Sequence, residues 1–207
     1  MLATVLSCNG QPTIKRAGRS DTIPLTPQVS PGTGDLIQAP ASSQARLCLL
    51  PNLLVQIDRA AELEIRQLTI TKDGNETGNA ILARSAAVRL VKGRMFVSHV
   101  WGEAMARFTV ETPNGQLIVI SNALFCIETE PEKTRITCAS GLIDFQPKGS
   151  PTSTRISAGF VGETSGGTLN LNPADTDPLA QESLLDALQA EQKLRELASA
   201  RRNVLPR

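Results

Sequence analysis

Pro51-Asn52-Leu53-Leu54-Val55-Gln56-Ile57-Asp58-Arg59-Ala60-Ala61-Glu62-Leu63-Glu64-Ile65 decides the fold, because the chain contains it twice. It aligns without a gap on Pro113-Asn114-Gly115-Gln116-Leu117-Ile118-Val119-Ile120-Ser121-Asn122-Ala123-Leu124-Phe125-Cys126-Ile127. Val55 matches Leu117, Ile57 matches Val119, Leu63 matches Phe125 and Ile65 matches Ile127. In both copies a Pro-Asn turn signal leads into residues that alternate with period two, the mark of strands with one buried face. Upstream, Ala45 to Leu49 echoes Ala106 to Val110 one residue out of step, as a bulge would produce. Further back, Val5 to Ile14 around Gly10 echoes Val88 to Val97 around Gly93. A short β unit cannot bury its apolar face alone, so two copies are expected to pack on or continue one another. The expected halves are about residues 3–70 and 85–146.

Outward from this repeat, residues 1–165 read as all-β. Short apolar runs alternate with polar residues, and turn signals sit at Asp73-Gly74 and at Glu130 to Lys133. No segment there sustains a 3.6-residue period. Residues 146–176 are rich in Gly, Ser, Thr and Pro and read as a linker region. Asp177 then offers an N-cap, with Pro178 at the first helical position. Leu184, Ala187, Leu188, Leu194 and Leu197 form the apolar stripe of one amphipathic helix over 177–202. Acidic residues lie early and basic ones late, which suits the helix dipole. The fold class expected is all-β, two repeated units in a sandwich- or solenoid-like domain, with one C-terminal amphipathic α-helix. That helix either docks on its own domain or offers Leu184, Leu188, Leu194 and Leu197 to a partner.

Composition narrows the function. Across 207 residues, 21 Lys and Arg stand against 20 Asp and Glu, so no global field draws nucleic acid or an acidic membrane. No run of eighteen apolar residues exists, so no membrane span is expected. The chain has one His, four Cys and no Tyr. A lone imidazole cannot build a multi-His metal site, C-x-x-C spacings are absent, and no phosphate loop or nucleophile elbow occurs. A cupin-type enzyme would need a cluster of metal-ligating His. The expectation is a non-enzymatic binding or scaffold protein with no metal and no cofactor.

The order of motifs also resembles a known family, the FecR-type domain of bacterial extracytoplasmic regulators and related β-rich proteins. Ala3 to Gly18 is similar to its opening strand pair, through Val5, Gly10, Ile14 and Arg16. Gly34-Asp35 and Ser43 sit where the family has a Gly-Asp turn and a Ser, ahead of two strands joined at Pro51-Asn52. In the second half, Val88 to Val97, Phe108 to Ile120 and Asn122 to Phe145 are similar to its later strands. Asn122-Ala123 replaces the Gly-Thr usual before Phe125. The resemblance covers about residues 3–165 and implies a non-catalytic β domain, periplasmic or secreted. It also implies contact with another envelope protein or cell-envelope component, and the relay of a receptor's state toward a sigma factor as its fullest form. With nothing before Ala3 that reads as a signal peptide or membrane helix, binding or scaffolding carries over more directly than the relay. A carbohydrate- or cell-wall-binding accessory module is the alternative, weakened by 3% aromatic content, because sugar platforms use exposed rings.

Two residue groups remain. Alternation puts Met95, Val97, His99 and Trp101 on one side of their strand, with Phe96, Ser98 and Val100 on the other. His99 and Trp101 are the candidate partner-binding residues at a groove edge. The four cysteines are even in number, but register separates Cys126 from Cys138 across their hairpin. Cys8, beside Leu6 and Ile14, and Cys138 are expected to be buried, with Cys48 and Cys126 facing outward and no bridge between them.

Overall fold

A computed structural model describes residues 1–72, 81–101, 105–119, 121–165 and 167–202; the Asp73-Gly74 turn lies outside them. The Pro51 stretch forms the first half of a long ribbon, β6 (Leu53–Lys72) against β7 (Ile81–His99), paired from Leu53↔His99 to Lys72↔Ile81. Mid-ribbon the register shifts between Asp58 and Glu62, where Arg59 and Ala60 adopt positive φ. Gly93 faces this bulge with φ 87°, and a Cβ there would lie 2.4 Å from Ala61 Cα. Only glycine fits that close approach. The bulge bends the ribbon, as an inserted residue does.

The bend lets each long strand serve two layers. The outer-facing layer runs β1 (Thr4–Asn9), β5 (Gln44–Leu50), the first part of β6, the last part of β7, β10 (Ala123–Thr129), the first part of β11 (Thr134–Pro147), β13 (Phe160–Ser165) and β14 (Thr168–Pro173). The second layer holds β3 (Thr22–Pro24), β2 (Thr13–Lys15), β4 (Leu36–Ala39), the remainders of β6 and β7, β8 (Met105–Thr112), β9 (Gly115–Val119), the end of β11 and β12 (Thr154–Ser157). Hydrogen bonds link all of these into one fourteen-stranded sheet folded over in a barrel-like way. β8 pairs with β7 in parallel; every other ladder is antiparallel. Both Pro-Asn turns close hairpins, β5–β6 with Asn52 at φ 69° and β8–β9.

The core lies between the layers, filled by alternate residues such as Leu47, Val55, Ile57, Val97 and Phe125 from one and Ile37, Leu63, Val88, Phe108 and Phe145 from the other. The residues that carried the family resemblance brace its first half. Ser43 Oγ accepts the Gln11 amide at 2.9 Å and sits where a Gly10 side chain would be. Asp35 is buried, takes the amides of Gly32 and Ala17, and pairs with Arg16 at 2.7 Å.

Residues 146–176 are not a plain linker. Their β-branched and apolar residues form β12, β13 and β14, separated by the glycine turns at Gly159 and Gly167, and a 3-10 turn follows at Ala174–Thr176. The composition marked the turns and hid three short strands. Helix α1 (Pro178–Arg202) then lies across the outside of the first layer. Asp177 caps it, accepting the amides of Leu179 and Ala180 at 3.0 and 3.1 Å. No described helix is long and apolar enough to cross a membrane.

Candidate functional site

The outer face of the first layer is built by the residues between those that fill the core. Phe96, Leu124 and Cys126 meet Ala187 and Ala190 of α1. Leu6 and Leu54, with half-buried Cys48, meet Leu194, Leu197 and Ala198. Val161 meets Ala174, Ala180 and Leu184. Small side chains along α1 let the helix sit close on a sheet. Leu6 therefore belongs to the helix face and not beside Cys8, because a register shift between Val5 and Ser7 interrupts the alternation of β1. Cys126 does point away from Cys138, as the register required, yet it is buried, since α1 covers the face that looked outward. Burial pushes its thiol well above the ordinary value, and pushes Cys138, inside the core, up to about 12.

Polar residues fix the helix in place. Arg94 is buried and grips Asp58 with two bonds, Nε to Oδ1 at 2.7 Å and Nη2 to Oδ2 at 3.1 Å. Its Nη1 reaches Asp186 of α1 at 2.7 Å, and its guanidinium stacks 4.6 Å from the Phe96 ring centroid. Burial alone would lower its pKa; the Asp58 contacts outweigh that and keep it charged. Arg59 bridges Glu128 and Glu182, and Ser98 donates to Glu191 at 2.9 Å. At the helix start, Arg135 pairs with Asp177 and Glu163, and the Arg135 bond holds the Asp177 carboxyl below its usual range.

Between the last turns of α1 and the sheet lies a groove of about 770 Å³. Its floor is Leu6, Cys48, Leu54, Ser98 and Val100, and its wall is the last turns of α1, with Ala198, Arg195 and Arg201. Arg195 is paired with Glu191 at 2.7 Å, and Arg201 donates to the Pro27 carbonyl at 3.0 Å. Apolar floor and basic rim together suit an apolar segment carrying negative charge.

The sequence candidates fall around this groove unevenly. Leu194 is buried beneath it and Leu197 is half-buried, both against the chain's own sheet, while Leu184 packs at the far end of α1. Leu188 is not on the docked stripe: it faces solvent, 54% exposed, because the contact runs through Ala180, Ser183, Ala187, Ala190 and Leu194. Trp101 is partly exposed, adjoins the groove residue Val100, and donates its amide to Asn122 Oδ1 at 2.6 Å. His99 is buried edge-on to Trp101, ring centroids 6.2 Å apart. Its Nδ1–H donates to the Ser121 carbonyl at 2.7 Å. Burial lowers its pKa more than that carbonyl raises it, so the ring is neutral and serves the strand end. Arg94, Asp58 and Arg195 escaped sequence reasoning, although alternation from Met95 already put Arg94 on the Phe96 side.

Among the described residues no group of three or more His, Cys, Asp or Glu gathers as a metal site. The sequence profile of the family described as FecR protein matches residues 35–144, more than half of the chain. No curated protein sequence matches. Two crystal structures of a proposed anti-sigma factor from Parabacteroides distasonis align with 67% of this chain at 15% and 14% identity, with TM-scores of 0.47 and 0.48. The chain spans 59% of the length of those structures.

Proposed function

The chain belongs to the FecR family, and on that premise we propose that it is a non-enzymatic, extracytoplasmic regulator module that receives a partner protein in the groove between α1 and the first layer. The single observation that carries the reading is the groove itself. An apolar floor of Leu6, Leu54 and Val100 lies open beside a basic rim of Arg195 and Arg201. Such a concave apolar patch with a few placed charges is where a peptide segment gains most from burial. The partner segment is apolar and flanked by carboxylates, and it belongs to another cell-envelope protein. Trp101, beside Val100, extends the contact at one end. Relay of the bound state toward a sigma factor is the regulatory form of this role. Among the described residues no aromatic side chain lines the groove, so the carbohydrate-binding alternative draws no support from it.

Photocrosslinking in the native host tests the proposal. A photoreactive residue at Val100 or Ser199 should capture one discrete envelope protein, while the same residue at exposed Leu142, on the far layer, should not. Equal capture at all three positions, or none at the groove, would overturn it.

A further inference from the structure

Resting on the groove as the partner site, we propose that the segment it receives is an amphipathic α-helix of about three turns, lying beside α1 and antiparallel to it. The groove floor is a row of residues that crosses the strands. Thr4 of β1 faces Cys48 of β5, Cys48 faces Leu54 of β6, and Leu54 faces Ser98 of β7. α1 crosses the same strands. It meets Val161 of β13 near its start, Phe96 and Leu124 further along, and Leu6 and Leu54 near its end. The groove therefore runs alongside α1 and across the strands.

Backbone pairing selects a helix over an extended segment. Cys48, Leu54 and Ser98 each have a ladder partner on both sides, Leu124 being the second for Ser98. These strands therefore offer no edge for strand addition there. An extended segment laid across them would hold its amides and carbonyls unpaired over Leu6, Leu54 and Val100. A helix pairs its own backbone and brings an apolar stripe to such a floor. The wall also fits a second helix. Arg195, Ala198 and Ser199 stand at i, i+3 and i+4 on one face of α1, and the two small side chains let another helix approach to about 8–10 Å between axes. Charge sets the direction. Arg195 and Arg201 lie late in α1, and carboxylates are favoured in the first turn of a helix. The acidic first turn of the occupant therefore sits beside the last turns of α1, and the two helices run antiparallel.

Four strands side by side span about 14 Å, a length covered by about nine helical residues or by about four extended ones. Photoreactive residues at Thr4 and at Val100, on the β1 and β7 sides of the floor, read that length in the native host. Mass spectrometry of the captured peptides should place both crosslinks in one segment of one protein, about nine residues apart, with the Thr4 crosslink nearer the N-terminus of that segment. Made as a synthetic peptide, the segment should gain helical circular dichroism when titrated with the full chain. A central proline in the peptide should weaken binding at least about tenfold, and Arg195→Gln in the chain about two- to fivefold. Crosslinks about four residues apart would overturn the helix while leaving the groove as the partner site. So would a Thr4 crosslink nearer the C-terminus, or a proline peptide or Arg195→Gln chain that binds like the parent. Capture at neither position would overturn both.

Discussion

Arg94 is where the β scaffold and the helix are joined, and replacing it tests that joint quantitatively. Its side chain and that of Asp58 are 10% and 11% exposed, and the two share a bidentate contact. Arg94→Met fills much the same volume but leaves the Asp58 carboxylate buried, with the Gln56 amide nitrogen at 3.4 Å and the field of the Arg46 guanidinium left to it. Removing one partner of a buried pair costs about 3–5 kcal/mol, because the surviving charge is uncompensated. Asp186, 33% exposed, recovers water and adds little. For a chain of this size that loss lowers Tm by roughly 6–20 °C. Asp58→Leu alone should cost a similar amount. The double variant removes both charges together and should lie within about 2 kcal/mol of the parent, because a well-packed apolar pair often replaces an ion pair without loss. Urea unfolding followed by circular dichroism gives all three values. Additive single effects in the double variant would refute the reasoning, as would an Arg94→Met loss below about 1 kcal/mol, the range of a surface pair.

Further outcomes follow from the same geometry. Alkylation of the native protein should reach half-buried Cys8 and Cys48 and leave Cys126 and Cys138 protected; Ala187→Asp, which forces a charge under α1, should expose Cys126 while Cys138 stays protected, as read by mass spectrometry. Gly93→Ala should destabilise by at least about 2 kcal/mol in the same unfolding assay, combining a strained positive φ with the Ala61 clash. Burial raises the Asp35 pKa, but the Gly32 and Ala17 amides and Arg16 outweigh it, so the folded value lies below the unfolded one. Its contribution is therefore complete above about pH 4 and lost as pH falls through the folded value; Asp35→Asn should flatten that acid limb of stability against pH. For His99 the depressed folded pKa means stability falls as pH drops below about 6.5 toward the folded value, a slope that His99→Gln should abolish.

The strand faces were legible because period-two alternation is a local property: Val55, Ile57, Val97 and Phe125 all occupy the core face, and Cys138 joins them there as the hairpin register required. The helix was legible in its cap and its extent, since Asp177-Pro178 is local chemistry too. What alternation could not say was that the second face is also covered. The clue was Ala123-Leu124-Phe125-Cys126-Ile127, a run with no polar break, which marks a strand buried on both sides. Docking of the helix on its own domain was one of two readings, but which strand face it covers was not legible, so Cys126 looked exposed. The stripe was misplaced at Leu188 alone: Leu184, Ala187, Leu194 and Leu197 do meet the sheet, and Ala180, Ser183 and Ala190 complete the contact where a small residue lets the helix sit close. The groove is shared by the last turns of α1 and residues distant in sequence such as Leu6, Leu54 and Val100, a long-range relation that no local pattern encodes.

The proposed role places partner recognition in the groove between α1 and the first layer. The most direct measurement is the transcript profile of the native host carrying Val100→Asp with Ala198→Asp, set beside the parent, a strain lacking the chain, and a Leu142→Asp strain, with protein levels matched. The account predicts that the groove variant reproduces the profile of the strain lacking the chain while the Leu142 variant matches the parent. A groove variant that is folded, present at parental level and indistinguishable from the parent would contradict it.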